Sequence, residues 1–147
     1  MRVAEFDFDL PPELEAAQRA WLREQLAETR RSGARHIAVF QHHPWFLFSI
    51  AEPNSILNLP KEKRDLYFPL FHEFGVKSLF LGHYHRNAVS RDGDIELVTT
   101  GAIGKPRDGA VSGMAVVIVR DQAIEHTFHP LGGVPDKILT ARVAAVR

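Results

Sequence analysis

Two histidine-rich segments stand out, Gln41-His42-His43-Pro44 and Gly82-His83-Tyr84-His85-Arg86-Asn87. Together they offer three imidazoles, those of His42, His83 and His85, in the pattern of a metal site with no carboxylate beside them. His83 and His85 are two residues apart, so in an extended segment both rings fall on one face while Tyr84 points away. Gly82 permits the backbone to turn into such a site. Rings so placed suit two adjacent ions, which in two-metal hydrolases sit roughly 3.5–4 Å apart and clamp the attacking and leaving oxygens of an in-line displacement.

The elements that position these residues follow from hydropathy. Ile37-Ala38-Val39-Phe40 runs into the first segment and Ser78-Leu79-Phe80-Leu81 into the second. The three imidazoles are therefore expected to converge at the carboxyl ends of two neighbouring buried strands, the rigid support a metal site needs. Upstream, Pro11-Pro12 and the acids Glu13 and Glu15 open a helix, with Leu14, Ala17, Trp21, Leu22 and Leu26 at helical spacing and Ser32-Gly33 as its stop. A strand is predicted over 35–41. Residues 45–59 have no clear period and read as a long loop, a length that in compact domains often serves function. A second helix is predicted over 60–74, with Leu66, Leu70, Phe71 and Phe74 on its buried side, ending at Gly75. Helix, strand, helix, strand is the pattern of an α/β layer with parallel strands. Beyond Asn87 come short segments over 88–91, 95–100, 115–120 and 123–128, with turns at Asp92-Gly93-Asp94 and Asp121-Gln122, which read as a β meander. A glycine-rich link over 101–113 is expected near the metal-binding end of the strands, and residues 134–147 read as a closing helix.

The order and spacing of the two histidine segments resemble the C-terminal part of the calcineurin-like metallophosphoesterases, whose signature there is His-x-Pro and then Gly-His-x-His. Ala20-Trp21-Leu22-Arg23-Glu24-Gln25-Leu26, Phe40-Gln41-His42-His43-Pro44, residues 82–88 and Ala102-Ile103-Gly104 resemble most the serine/threonine phosphatases with a single calcineurin-like domain. The similarity extends from about Pro11 to Val134. It implies an α/β (α+β) fold, the C-terminal half of a metallophosphoesterase-type β-sandwich flanked by helices with a C-terminal β meander, and a single incomplete domain over residues 1–147. It implies two divalent ions, manganese, iron or zinc, with His42 and His83 ligating one and His85 the other. His43 takes the variable position of His-x-Pro, facing substrate or nothing. Arg86 meets a phosphate oxygen or else holds Asp92 or Asp94 across the hairpin. His43 and Arg86 are thus the substrate-binding candidates. Asn87 reads as structural, Trp45 and Phe46 as packing, and His36, His72, His126 and His129 as histidines without a function. Arg107 and Asp108 either face the site or are simply solvated.

The family's N-terminal motifs, Asp-x-His, Gly-Asp-x-x-Asp and Gly-Asn-His, occur nowhere in the chain; in Gly93-Asp94-Ile95-Glu96-Leu97 a leucine holds the place of the second aspartate. Two divalent cations carry four positive charges that neutral imidazoles do not offset, so a binuclear centre needs carboxylates. The expectation is a metal-dependent phosphoesterase, hydrolysing phosphate esters of a phosphoprotein or small molecule by metal-activated hydroxide, whose C-terminal portion is inactive until an N-terminal half, or self-association, completes it. Two alternatives stand beside it: a non-catalytic metal- or phosphate-binding module on His42, His83 and His85, and an interaction module whose half-sheet pairs with a partner.

At 147 residues with 45% hydrophobic residues the chain has the size and apolar content of one domain. Its 18 basic and 18 acidic residues cancel, which gives nucleic acid or an anionic membrane no electrostatic hold. With no cysteine there is no disulfide framework and no thiolate-ligated zinc. Acids within the first seven residues and the lack of any apolar run near the roughly 18 residues of a membrane span point to a cytoplasmic protein.

Overall fold

The computed structural model describes residues 11–132. The expected closing helix over 134–147 and the acidic start lie outside the described residues. Helix α1, Pro12–Arg31, begins as expected with proline and two acids in its first turn and ends with Arg30 and Arg31 in its last. Only Leu22 and Leu26 of its apolar stripe are buried; Leu14, Ala17 and Trp21 remain exposed. Arg23 reaches across to both carboxylate oxygens of Glu73 and so ties α1 to the second helix.

Strand β1, Ala38–Phe40, is shorter than the stretch predicted over 35–41. Helix α2, Lys61–Glu73, then crosses to β2, Ser78–Leu81, which pairs with β1 in parallel. The buried side of α2 differs from the hydropathy reading: Arg64, Tyr67, Phe68, Leu70 and Phe71 face inward, whereas Leu66 is 42% exposed. Gly75 stops the helix at φ 65°, where its carbonyl and that of Phe74 accept from the Arg30 guanidinium.

Strands β3, Ala88–Asp92, and β4, Ile95–Thr99, form an antiparallel hairpin, and β4 also lies parallel against β2. The first sheet is therefore ordered β1-β2-β4-β3. Strands β5, Gly113–Val119, and β6, Ile124–Pro130, form a second, two-stranded antiparallel sheet. Both hairpins read from the sequence are present, but they join different sheets instead of following one another in one, because β4 spends its second edge on β2. Among the described residues the result is a mixed α/β arrangement of two helices and two sheets.

Alternation in β2 and β4 divides the interior. Leu79, Leu81, Ile95 and Leu97 join Leu22, Leu26, Tyr67, Phe68 and Phe71 in one apolar core beneath the helices. Phe80 and Glu96 point the other way, where His126 of β6 lies with its ring 6.5 Å from that of Phe80 and its Nε2 3.2 Å from Glu96. Among the described residues no helix is long and apolar enough to cross a membrane.

Candidate metal centre

The parallel pairing of β1 and β2 brings the two histidine segments side by side. The ladder continues past the strands: the Gln41 amide donates to the Phe80 carbonyl (3.1 Å) and the Gly82 amide to the His42 carbonyl (2.9 Å). The side chain of Gln41 donates from Nε2 to the His43 carbonyl at 2.6 Å, which fixes the peptide between the first histidine pair and Pro44. From there the second segment turns sharply. The Tyr84 amide reaches back to the Gly82 carbonyl, and His83 and His85 occupy the left-handed region at φ 59° and 60°. Such backbone is uncommon for residues other than glycine and clusters at functional sites.

This turn corrects the extended geometry expected for Gly82-His83-Tyr84-His85. His83 Nδ1 stands 3.4 Å from His42 Nε2. The third ring of the close group is that of His43, 4.0 Å from the His83 ring and 5.0 Å from that of His42. One nitrogen from each of His42, His43 and His83 lies within 4.8 Å of the others. His85 is held elsewhere: its Nδ1–H donates to the Lys105 carbonyl (2.7 Å), and its own carbonyl accepts from the Arg107 amide (3.2 Å). Since a carbonyl only accepts, each histidine bonded to one must carry its proton on that nitrogen. As a neutral imidazole, His85 then has its lone pair on Nε2, and His83, whose Nε2–H donates to the Ile56 carbonyl at 3.0 Å, has its lone pair on Nδ1.

Ile56 belongs to the loop over 45–59, and the residues that shape this loop were not singled out in the sequence. The Glu52 carboxylate accepts from the amides of Leu47, Phe48 and Ser49 and from the Asn58 side chain. Burial pushes its pKa up, but these four donors outweigh burial and hold it below the usual carboxylate range. Arg64, with no exposed surface, donates to the carbonyls of Leu59, Ile50 and Glu52. Burial lowers its pKa, partly offset by Glu52, yet a guanidinium stays charged. Trp45 and Phe46 are fully buried packing residues, as read from the sequence, against Phe68. An arginine in register with Tyr67, Phe68 and Phe71 on α2 was the available signal for this network.

The remaining candidates fall into place. Arg86 takes neither Asp92 nor Asp94; it lies 3.6 Å from Asp108 and over the Tyr84 ring. Asp108 thus sits in the loop that also holds His85. Asn87 accepts from the Gly101 amide (2.7 Å), a structural tie between this segment and the end of β4. His36 bonds the Arg120 carbonyl and His72 pairs with Asp92, both away from the cluster. Beside His42 a cleft of about 550 Å³ opens between the two sheets, lined by Phe40, Phe80, Ile103 and Val117.

The donor set suits one ion. Three imidazole nitrogens and an open side are a recognised zinc environment. For two ions it does not suffice, because the close group holds no carboxylate among the described residues.

No family model matches the chain. Among characterised proteins it is similar to serine/threonine-protein phosphatase CPPED1 of Bos taurus, 36% identical over 132 residues, which cover 90% of this chain and 42% of that protein. The Homo sapiens protein of the same name is 39% identical over 127 residues, 86% of this chain and 40% of that protein, and the Danio rerio protein 36% over 126 residues, 86% and 41%. The chain thus spans about two fifths of the length of the curated relatives it matches. These homologues bear out the resemblance carried by the two histidine segments.

Proposed function

We propose that this chain, whose homologues over most of its length are named serine/threonine-protein phosphatases, is the C-terminal part of a calcineurin-like metallophosphoesterase and supplies histidine ligands to its metal centre. The observation that carries this reading is the meeting of His42 and His83 at the carboxyl ends of two parallel strands. His85, one turn further, belongs to the portion of the site that carboxylates from outside this chain complete. A divalent ion bound there supplies Lewis-acid chemistry for hydrolysis of a phosphate ester. The chain's own contribution is orientation: the Ile56 carbonyl fixes the His83 ring, the Lys105 carbonyl fixes that of His85, and Arg86 offers a guanidinium to a phosphate oxygen beside its contact with Asp108. The substrate is a phosphoprotein or a smaller phosphate ester.

An open strand edge supports the reading that a second polypeptide completes the site. Among the described residues β1 is paired on one side only, so its outer edge is free to extend the sheet. The missing carboxylates and catalytic acid make the isolated chain inactive, since loss of one preorganised charge-stabilising group already costs about a hundredfold or more in rate. The test is hydrolysis of a chromogenic phosphate ester with manganese, by the chain alone and together with the remaining N-terminal part of a CPPED1 relative, with His83→Ala as control. Activity is expected only in the mixture and only with His83 intact. Metal-dependent turnover by the chain alone that is lost in His83→Ala would overturn the incomplete-site reading.

A further inference from the structure

We infer that this chain by itself holds a single zinc-class ion through His42, His43 and His83, with His43 as a ligand and His85 outside the set. The ligand set differs from the pair of ions that the family resemblance implies, and it rests on the placement of the rings in this chain alone.

Distances come first. Zinc–nitrogen bonds of about 2.0–2.1 Å at the tetrahedral angle put ligand nitrogens about 3.3–3.4 Å apart. His42 Nε2 and His83 Nδ1 already stand 3.4 Å apart, a long separation for an N–H···N hydrogen bond but that of two ligands on one ion. The ligand nitrogen of His43 lies within 4.8 Å of both.

The supporting bonds agree. The proton that His83 gives to the Ile56 carbonyl leaves its Nδ1 lone pair facing His42, which is how metal-bound histidines are oriented by their surroundings. The Gln41 side chain holds the carbonyl of His43, and the Gly82 amide holds that of His42. His42 and His43 thus hang from pinned backbone, while His83 is held by its ring. His85 is turned to the Lys105 carbonyl and contributes no nitrogen to the close group.

Chemistry sets the class of ion. Neutral imidazoles without carboxylates favour zinc, copper or nickel over magnesium, calcium or manganese, which prefer oxygen ligands. The exposure of His42 leaves the fourth position open to water.

Zinc titration of the full 147-residue chain by calorimetry, with magnesium and manganese as competitors, tests this. One zinc per chain is expected, undisplaced by either competitor, and X-ray absorption of the loaded chain should show three imidazoles. His42→Ala, His43→Ala and His83→Ala should each weaken zinc by more than about tenfold, whereas His85→Ala should change it by less than about twofold. Because alanine at 43 could disturb the Pro44 turn, His43→Gln is measured beside it, with circular dichroism confirming the fold; the same loss is expected. Retained affinity in both position-43 variants, a loss in His85→Ala, or no zinc bound to the unmodified chain would overturn the site. The phosphoesterase proposal fails separately, through absence of activity in the completed mixture, whatever the zinc titration gives.

Discussion

The Nε2–H of His83 donates to the main-chain carbonyl of Ile56 across 3.0 Å, so the turn that ends β2 is oriented by a loop 27 residues earlier in the chain. That loop owes its shape to Arg64, which reaches out of α2 to three of its carbonyls. Removing the guanidinium would take a donor from each of those carbonyls, of which the bond to Leu59 is buried, and an attractive charge from the side of Glu52. Arg64→Met, which keeps the bulk, is expected to lower stability by about 3 kcal/mol, read from urea unfolding midpoints at unchanged slope. A midpoint equal to that of the unmodified chain would show that the loop holds itself.

Glu52 gives the loop a dependence on pH. Its carboxyl is held below the usual range in the folded chain, so its stabilising contribution is fully present above the unfolded value and is lost as pH falls through the folded one. Unfolding midpoints of the unmodified chain are therefore expected to decline as pH drops below about 4.3, the ordinary glutamate value, while those of Glu52→Gln begin lower and decline less over the same window. Parallel curves for the two proteins would assign the acid sensitivity to other carboxylates.

What was legible in the sequence was whatever hydropathy and side-chain chemistry encode. The apolar runs before Gln41 and Gly82 marked β1 and β2, and their parallel pairing brings His42 and His83 together. The inward side of α2 was misread at Leu66 because Arg64 looks like a surface residue; its burial is justified only by carbonyls of a loop that carries no periodic signal. The departure of His85 from the cluster was beyond reach for a similar reason. Two histidines in left-handed backbone have no mark in the residue pattern, and the group that holds His85 is a main-chain carbonyl, which every residue type possesses.

His85 in turn secures the loop over 101–113, through its ring to the Lys105 carbonyl and its own carbonyl to the Arg107 amide. The Arg86–Asp108 contact adds little, since both side chains are well exposed. Replacing His85 by alanine removes the 2.7 Å bond and leaves the alanine in a left-handed conformation that histidine tolerates better. The loop should then open more often than the rest of the fold. Trypsin reports this at one bond: cleavage after Lys105 is blocked by Pro106, whereas the bond after Arg107 is susceptible. Cleavage between Arg107 and Asp108 is expected to be about tenfold faster in His85→Ala, corresponding to loss of roughly 1.4 kcal/mol of local stability, with global unfolding changed much less. An unchanged cleavage rate would mean that the loop is held by Asn87 and the Gly101 amide and not by His85.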